Sequence, residues 1–163
     1  MAQALREKGN EVVIVAAGRT KNDMVYEKEL KEVSDEFYVA TDDGSKGYQG
    51  LSFLDDVLKA QKFDHSIAMG QVVLLQTVTE LTKPYSLKTM VTLASIMVDG
   101  TGMCGACRVT VGGETKFACM DGPEFDGHQV DFEELIKRQR VYLPEERMAS
   151  MIHDKLGGGV KRG

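Results

Sequence analysis

Up to about residue 93 the chain alternates short apolar runs with amphipathic stretches; beyond that point the pattern changes character. Met1 to Lys8 predicts a short helix ended by Gly9-Asn10. Val12 to Ala17 is an unbroken apolar run, which suits a strand buried on both faces of a parallel sheet. Asp23 to Asp35 carries helical spacing, with Met24, Tyr26, Leu30 and Val33 on one side and charges on the other. Phe37 to Ala40 predicts a second strand, and Leu51 to Gln61 a helix. Ser66 to Met69 predicts a third strand. Gln71 to Thr82 predicts a helix stopped by Lys83-Pro84, and Leu87 to Leu93 a fourth strand. Strands and helices alternating at this pitch predict an α/β fold built on a doubly wound parallel sheet.

After residue 93 the helix–strand alternation ends. Arg108 to Val111, Gly112-Gly113 and Lys116 to Ala118 predict a β-hairpin, the centre of a small β-rich module. Two amphipathic helices come next: Asp131 to Arg138, with Phe132, Leu135 and Ile136 inward, and Pro144 to Leu156, with Met148, Met151 and Ile152 on one face. The expected organisation is therefore a domain over 1–93, a module over 94–130 and a helical tail over 131–163. A doubly wound sheet normally opens with a strand, a glycine-rich turn and a helix whose N-terminus holds a pyrophosphate. No G-x-G-x-x-G is present, so the first strand is expected to be missing, and Gly157-Gly158-Gly159 reads as a flexible end.

With 163 residues the chain is long enough for one core or a core with a satellite. A formal net charge of −5 argues against a nucleic-acid partner. No apolar run reaches membrane-spanning length and no signal peptide opens the chain, so no membrane partner is expected. All three cysteines cluster within sixteen residues, which suits a reducing compartment; a cytoplasmic location is the expectation.

That cluster is the chemistry of the chain. Asp99-Gly-Thr-Gly-Met-Cys104-Gly-Ala-Cys107, followed by Cys119, has the spacing D-x4-C-x2-C-x11-C. The plant-type [2Fe–2S] pattern is C-x4-C-x2-C with a distant fourth cysteine, so Asp99 stands where the first thiolate would be. Gly100, Gly102 and Gly105 allow the backbone to curl tightly around an inorganic core. A Cys3His zinc site using His128 is the alternative, although neither a second C-x2-C knuckle nor a paired histidine is present. Hairpin pairing would return Cys119 to Cys104 and Cys107. Met97, Met103 and Met120 flank these residues and more readily fill a small core than shield a cluster. No catalytic acid, base or nucleophile constellation stands out, and His65, His128 and His153 are scattered.

The run opening Ile96-Met-Val-Asp-Gly-Thr-Gly-Met-Cys-Gly-Ala-Cys resembles the cluster segment of the small, FAD- and [2Fe–2S]-carrying subunit of NADH-dependent reduced ferredoxin:NADP oxidoreductases. Sulfide dehydrogenase subunits and the dihydroorotate dehydrogenase electron-transfer subunit are relatives of that group. The resemblance covers nearly all of residues 1–145 but only the second half of the family's usual chain, which implies a fragment or a split subunit. It implies a cluster held by Asp99, Cys104, Cys107 and Cys119, an FAD bound mainly by a missing N-terminal half supplied in cis or in trans, and NAD(P)H as electron donor. It also implies a larger flavoprotein or iron–sulfur partner subunit. Three loops at strand ends are implied nucleotide contacts. Gly18, Arg19 and Thr20 match a turn beside the adenosine ribose. Asp42, Asp43 and Gly44 match a Thr-Asp-Asp-Gly-Ser run. Gly70 matches a Gly-Pro turn near the nicotinamide, with Gln71 here in place of the proline. A stand-alone [2Fe–2S] electron carrier is the second functional expectation, and a zinc-stapled interaction module the third.

Overall fold

The computed structural model describes residues 1–155; Leu156 and the Gly157-Gly158-Gly159 triplet lie outside the described residues. The chain forms two compact units, Met1–Lys62 and the part from Phe63 onward.

In the first unit, helix α1 (Ala2–Glu7) leads to strand β1 (Val13–Gly18), then to helix α2 (Glu27–Glu32), strand β2 (Glu36–Thr41), strand β3 (Tyr48–Gln49) and helix α3 (Leu54–Ala60). The strands pair in parallel in the order β1-β2-β3, with Val13 opposite Glu36 and Gly18 opposite Thr41. β1 is an edge strand and is half-buried along most of its length, not covered on both faces as its apolar run predicts. The helix expected over Asp23–Asp35 is cut in two. A 3-10 turn at Lys21–Asp23 is separated from α2 by Tyr26, which sits in the left-handed region at φ 56° and is exposed, not on an inward face. Tyr38, Tyr48 and Phe53 pack as an aromatic trio, the Tyr48 and Phe53 rings stacked 4.1 Å apart.

The second unit opens with strand β4 (His65–Met69), helix α4 (Val72–Thr82) and strand β5 (Lys88–Thr92), the two strands parallel and joined by the crossover helix. A hairpin of β6 (Arg108–Val111) and β7 (Glu114–Phe117) comes next, then the short helix α5 (Ala118–Asp121) and strand β8 (Glu124–Asp126). Helices α6 (Phe132–Gln139) and α7 (Leu143–Lys155) complete it. β8 pairs antiparallel with β5, Val91 opposite Phe125. The hairpin turns on Gly112 and Gly113, both at positive φ as a two-residue turn of this hand requires.

The four strands expected in one parallel sheet do pair in parallel, as β1–β2 and β4–β5, each pair joined by a third strand: parallel β3 in the first unit and antiparallel β8 in the second. The fold is mixed α/β. The compact units part at Lys62/Phe63, and the boundary expected at residue 93 falls inside the second unit. Ala68, Leu75, Val91 and Leu93 share one core with Cys107, Val109, Ala118, Phe125, Phe132 and Leu135. The strand–helix–strand element, the cysteine hairpin and α6 bury the same apolar surface, which is why they cohere. Among the described residues, no helix is long and apolar enough to cross a membrane.

Candidate iron–sulfur centre

The hairpin sets one half of the site. The β6–β7 ladder pairs Arg108 with Phe117, and the Ala118 N–H donates to the Cys107 carbonyl at 3.1 Å, one rung further. Cys107 before β6 and Cys119 after β7 therefore emerge side by side, their sulfur atoms 3.2 Å apart. Cys107 is only 3% exposed and belongs to the core. The Phe117 N–H donates to the Asp121 carboxylate at 2.6 Å, tying the end of β7 to α5, the helix that carries Cys119.

The loop between β5 and β6 sets the other half. Asp99 folds back on it: one carboxylate oxygen accepts from the Thr101 N–H at 2.9 Å, the other from the Cys104 N–H at 2.7 Å. Gly100, Gly102 and Gly105 all take positive φ, between 66° and 80°. At Gly102 a Cβ would meet the Met120 side chain at 3.0 Å, so this residue also allows a close approach to α5. The Ala106 N–H points at the Cys104 sulfur, 3.5 Å away. Asp99 and Cys104 are exposed, as are Met97, Met103 and Met120, so these methionines do not fill a core.

The electrostatics arise from these contacts. The Thr101 N–H, helped by that of Cys104, holds the Asp99 carboxyl below the usual carboxylate range. The backbone N–H of Cys119 and that residue's side chain lower the Cys107 thiol. Cys119 is raised by its hydrogen bond with Cys107, by burial and by the Cys107 charge. A metal that took both sulfurs as thiolates would replace the hydrogen bond they make with each other. One carboxylate and three thiols, in a loop whose backbone can curl, are a donor set that fits a thiolate-bound iron–sulfur group. Among the described residues, no three His, Cys, Asp or Glu side chains are grouped so as to hold a metal ion. His128, the alternative zinc ligand, instead has its ring Nε2 2.8 Å from the Leu87 carbonyl.

Two bonds that sequence reasoning misses reach the loop from α6. Arg138 donates to the Ala106 carbonyl at 3.3 Å, and Gln139 to the Ala94 carbonyl at 2.9 Å. These partners lie 32 and 45 residues apart in sequence, and no local pattern points to them.

The residues expected to touch a nucleotide fall in both units. In the first unit, two loops at the C-terminal ends of β1 and β2 are joined. The Asp42 N–H donates to the Gly18 carbonyl, that of Asp43 to the Arg19 carbonyl, and that of Lys21 to the Ser45 hydroxyl. Thr20 caps the 3-10 turn with Asp23. Gly44 is at positive φ, and Arg19 is exposed. Gly47 is required there: a Cβ would lie 2.0 Å from the Val39 carbonyl oxygen. Gly70 belongs to the second unit, at the end of β4. It opens a cleft of about 790 Å³ with Met69, Gln71, Ser95, Gln139 and Arg140 among its lining.

Comparison with known proteins agrees with this chemistry. Residues 94–131 match the family described as the iron–sulfur cluster binding domain of dihydroorotate dehydrogenase B. The matched stretch contains the loop and the hairpin that carry Asp99, Cys104, Cys107 and Cys119. The chain is similar to proteins named as dihydroorotate dehydrogenase B electron-transfer subunits. It is 44% identical over 151 residues to a protein of Thermotoga maritima named as a homologue of that NAD(+)-type subunit; the match covers 91% of this chain and 53% of the relative. A Clostridium beijerinckii protein of undescribed role is 45% identical over 153 residues, covering 90% of this chain and 51% of its own. A solved structure of NADH-dependent reduced ferredoxin–NADP oxidoreductase, described in connection with flavin-based electron bifurcation, matches with a TM-score of 0.77 and 41% identity. That match covers 92% of this chain and 55% of the other. The chain spans about half the length of the curated relatives it matches.

Proposed function

We propose that this chain is the nicotinamide-nucleotide and iron–sulfur part of an FAD-dependent NAD(P)H oxidoreductase. In this reading it passes electrons between NAD(P)H and FAD on one side and a [2Fe–2S] cluster on the other, and from there to a larger partner subunit. One observation carries the reading. Asp99, Cys104, Cys107 and Cys119 are supplied by a glycine-curled loop and a hairpin, within a segment matching an iron–sulfur binding domain. In the proposed centre these four side chains hold the metal. The group supplies one-electron chemistry when bound; its potential is set by the charge, hydrogen bonds and exposure around it.

The residues of the chain do the positioning. The core beneath Cys107 fixes the hairpin side, while the backbone N–H groups of Thr101 and Cys104 hold the Asp99 carboxylate within the cluster loop. Gly18, Arg19, Thr20, Asp42, Asp43 and Gly44 are proposed contacts of the nucleotide's adenosine end, and Gly70 of its nicotinamide end. The support is their position at strand C-terminal ends, where open α/β sheets bind ligands. FAD is proposed to be held mainly by a further half, in cis or in trans, without which the present residues would not turn over NAD(P)H.

The test is the visible spectrum of anaerobically purified protein, with iron, sulfide and zinc assayed on the same sample. Absorption between roughly 400 and 600 nm that bleaches on reduction, with two irons and two sulfides per chain, is expected. A colourless protein holding one zinc would overturn the reading.

A further inference from the structure

We infer that Arg138 and Gln139 are positioning residues for the cluster loop, holding it at both ends from one helical turn. The inference rests on the iron–sulfur reading above. From Ala94 to Ala106 the backbone forms no strand or helix, and its Asp99 and Cys104 are exposed. In the middle of the loop, Gly102 lies against Met120 and its backbone N–H bonds Cys119, so α5 holds that part. The Asp99 carboxylate accepts from Thr101 and Cys104, members of the same loop. The two α6 side chains bind it from outside. Gln139 holds the carbonyl of Ala94, where the loop leaves β5, and Arg138 holds the carbonyl of Ala106, between Cys104 and Cys107.

The helix making these bonds is itself anchored to the other half of the site. Phe132 and Leu135 are buried in the core that contains Cys107. The Asp131 N–H donates to the Thr110 carbonyl at 2.9 Å, and the Thr110 hydroxyl to the Glu134 carboxylate at 2.5 Å. α6 therefore bonds β6 at its start and the loop at its end, linking the segments that carry Cys104 and Cys107. The Arg138 bond is charge-assisted, and the half-buried guanidinium places a fixed positive charge on the carbonyl of the residue just before Cys107. Outer partners of this kind orient ligands and tune the metal they hold.

The experiment compares the full chain carrying its cluster with Arg138→Met, Arg138→Lys and Gln139→Leu. Three quantities are read: iron release to a chelator, the electron paramagnetic resonance spectrum of the reduced protein, and thermal melting of the metal-free chain. Iron release about tenfold faster, with an altered resonance spectrum, is expected for Arg138→Met. Arg138→Lys, which keeps the charge, should recover much of both. Gln139→Leu should give the same direction of change with a smaller amplitude, and it decides the matter if Arg138→Met does not fold. Variants that only lower the melting temperature, leaving release and spectrum unchanged, would overturn the inference while sparing the iron–sulfur reading. A wild-type chain without iron and sulfide would overturn both.

Discussion

The two halves of the candidate centre are built by opposite means. On the hairpin side, Cys107 and Cys119 are brought together by a four-rung ladder and backed by Val109 and Ala118, which are 1% and 0% exposed. On the loop side, Asp99 and Cys104 are exposed, and their arrangement depends on three left-handed glycines and a carboxylate bonded to its own loop. The hairpin side comes with folding itself, since its geometry is fixed by the burial that folds the unit. The loop side is local and shallow, so it can be damaged with little effect on stability. Stability and metal content should therefore respond differently to mutations on the two sides.

The largest effect is expected beneath the hairpin. Leu135→Ala removes a side chain 3% exposed from the core shared by Cys107 and α6, and should cost about 2–5 kcal/mol in a denaturant melt, with iron lost in parallel. Gly102→Ala comes next. A left-handed non-glycine residue costs about 1–2 kcal/mol, and the added carbon meets Met120, so bound iron should fall while the melt shifts modestly. Asp99→Ala sharpens the contrast: iron per chain should drop with almost no change in the melt of the metal-free protein, whereas Asp99→Cys should retain the metal. Equal losses of stability and iron in Asp99→Ala would erase the distinction between the two sides.

The smallest effect belongs to the exposed Glu114–Lys116 pair on β7. The Lys116 ammonium lowers the Glu114 carboxyl and is itself raised by it. The depressed carboxyl contributes above its ordinary range, and that contribution is lost as pH falls through the lowered value. The raised ammonium contributes up to its ordinary range and is lost as pH rises through the raised one. Glu114→Gln should therefore shift the melting temperature slightly at neutral pH, not at strongly acid pH, and added salt should shrink the difference.

The cysteine spacing makes the hairpin side legible from the sequence, because Gly112-Gly113 marks the turn and period-two pairing does the rest. The main strands and α4 are legible from their apolar runs. β3 and β8 are not: two and three residues carry no measurable period, and β8 exists because β5 offers it an edge. Tyr26 misleads the pattern, since its spacing is helical while its backbone is left-handed. The division at Lys62/Phe63 has no composition signal, since Gln61-Lys62-Phe63-Asp64 reads as an ordinary helix-to-strand connection. The α6 bonds to the loop are invisible for a simpler reason. A half-buried arginine and glutamine on a helix read as a solvated face until the fold supplies their acceptors.

The hairpin also imposes a counting rule. Cys107 and Cys119 meet because Arg108 pairs with Phe117 and each strand contributes the same number of rungs. Lengthening the hairpin by a rung adds one residue to each strand, so the gap between these cysteines can grow only in steps of two. A single residue inserted into one strand would instead disturb the Arg108–Phe117 register that brings the two ends of the hairpin together. The separation of the second and third cysteines is then a parity, not a length, and a longer hairpin of the right parity would serve the same centre.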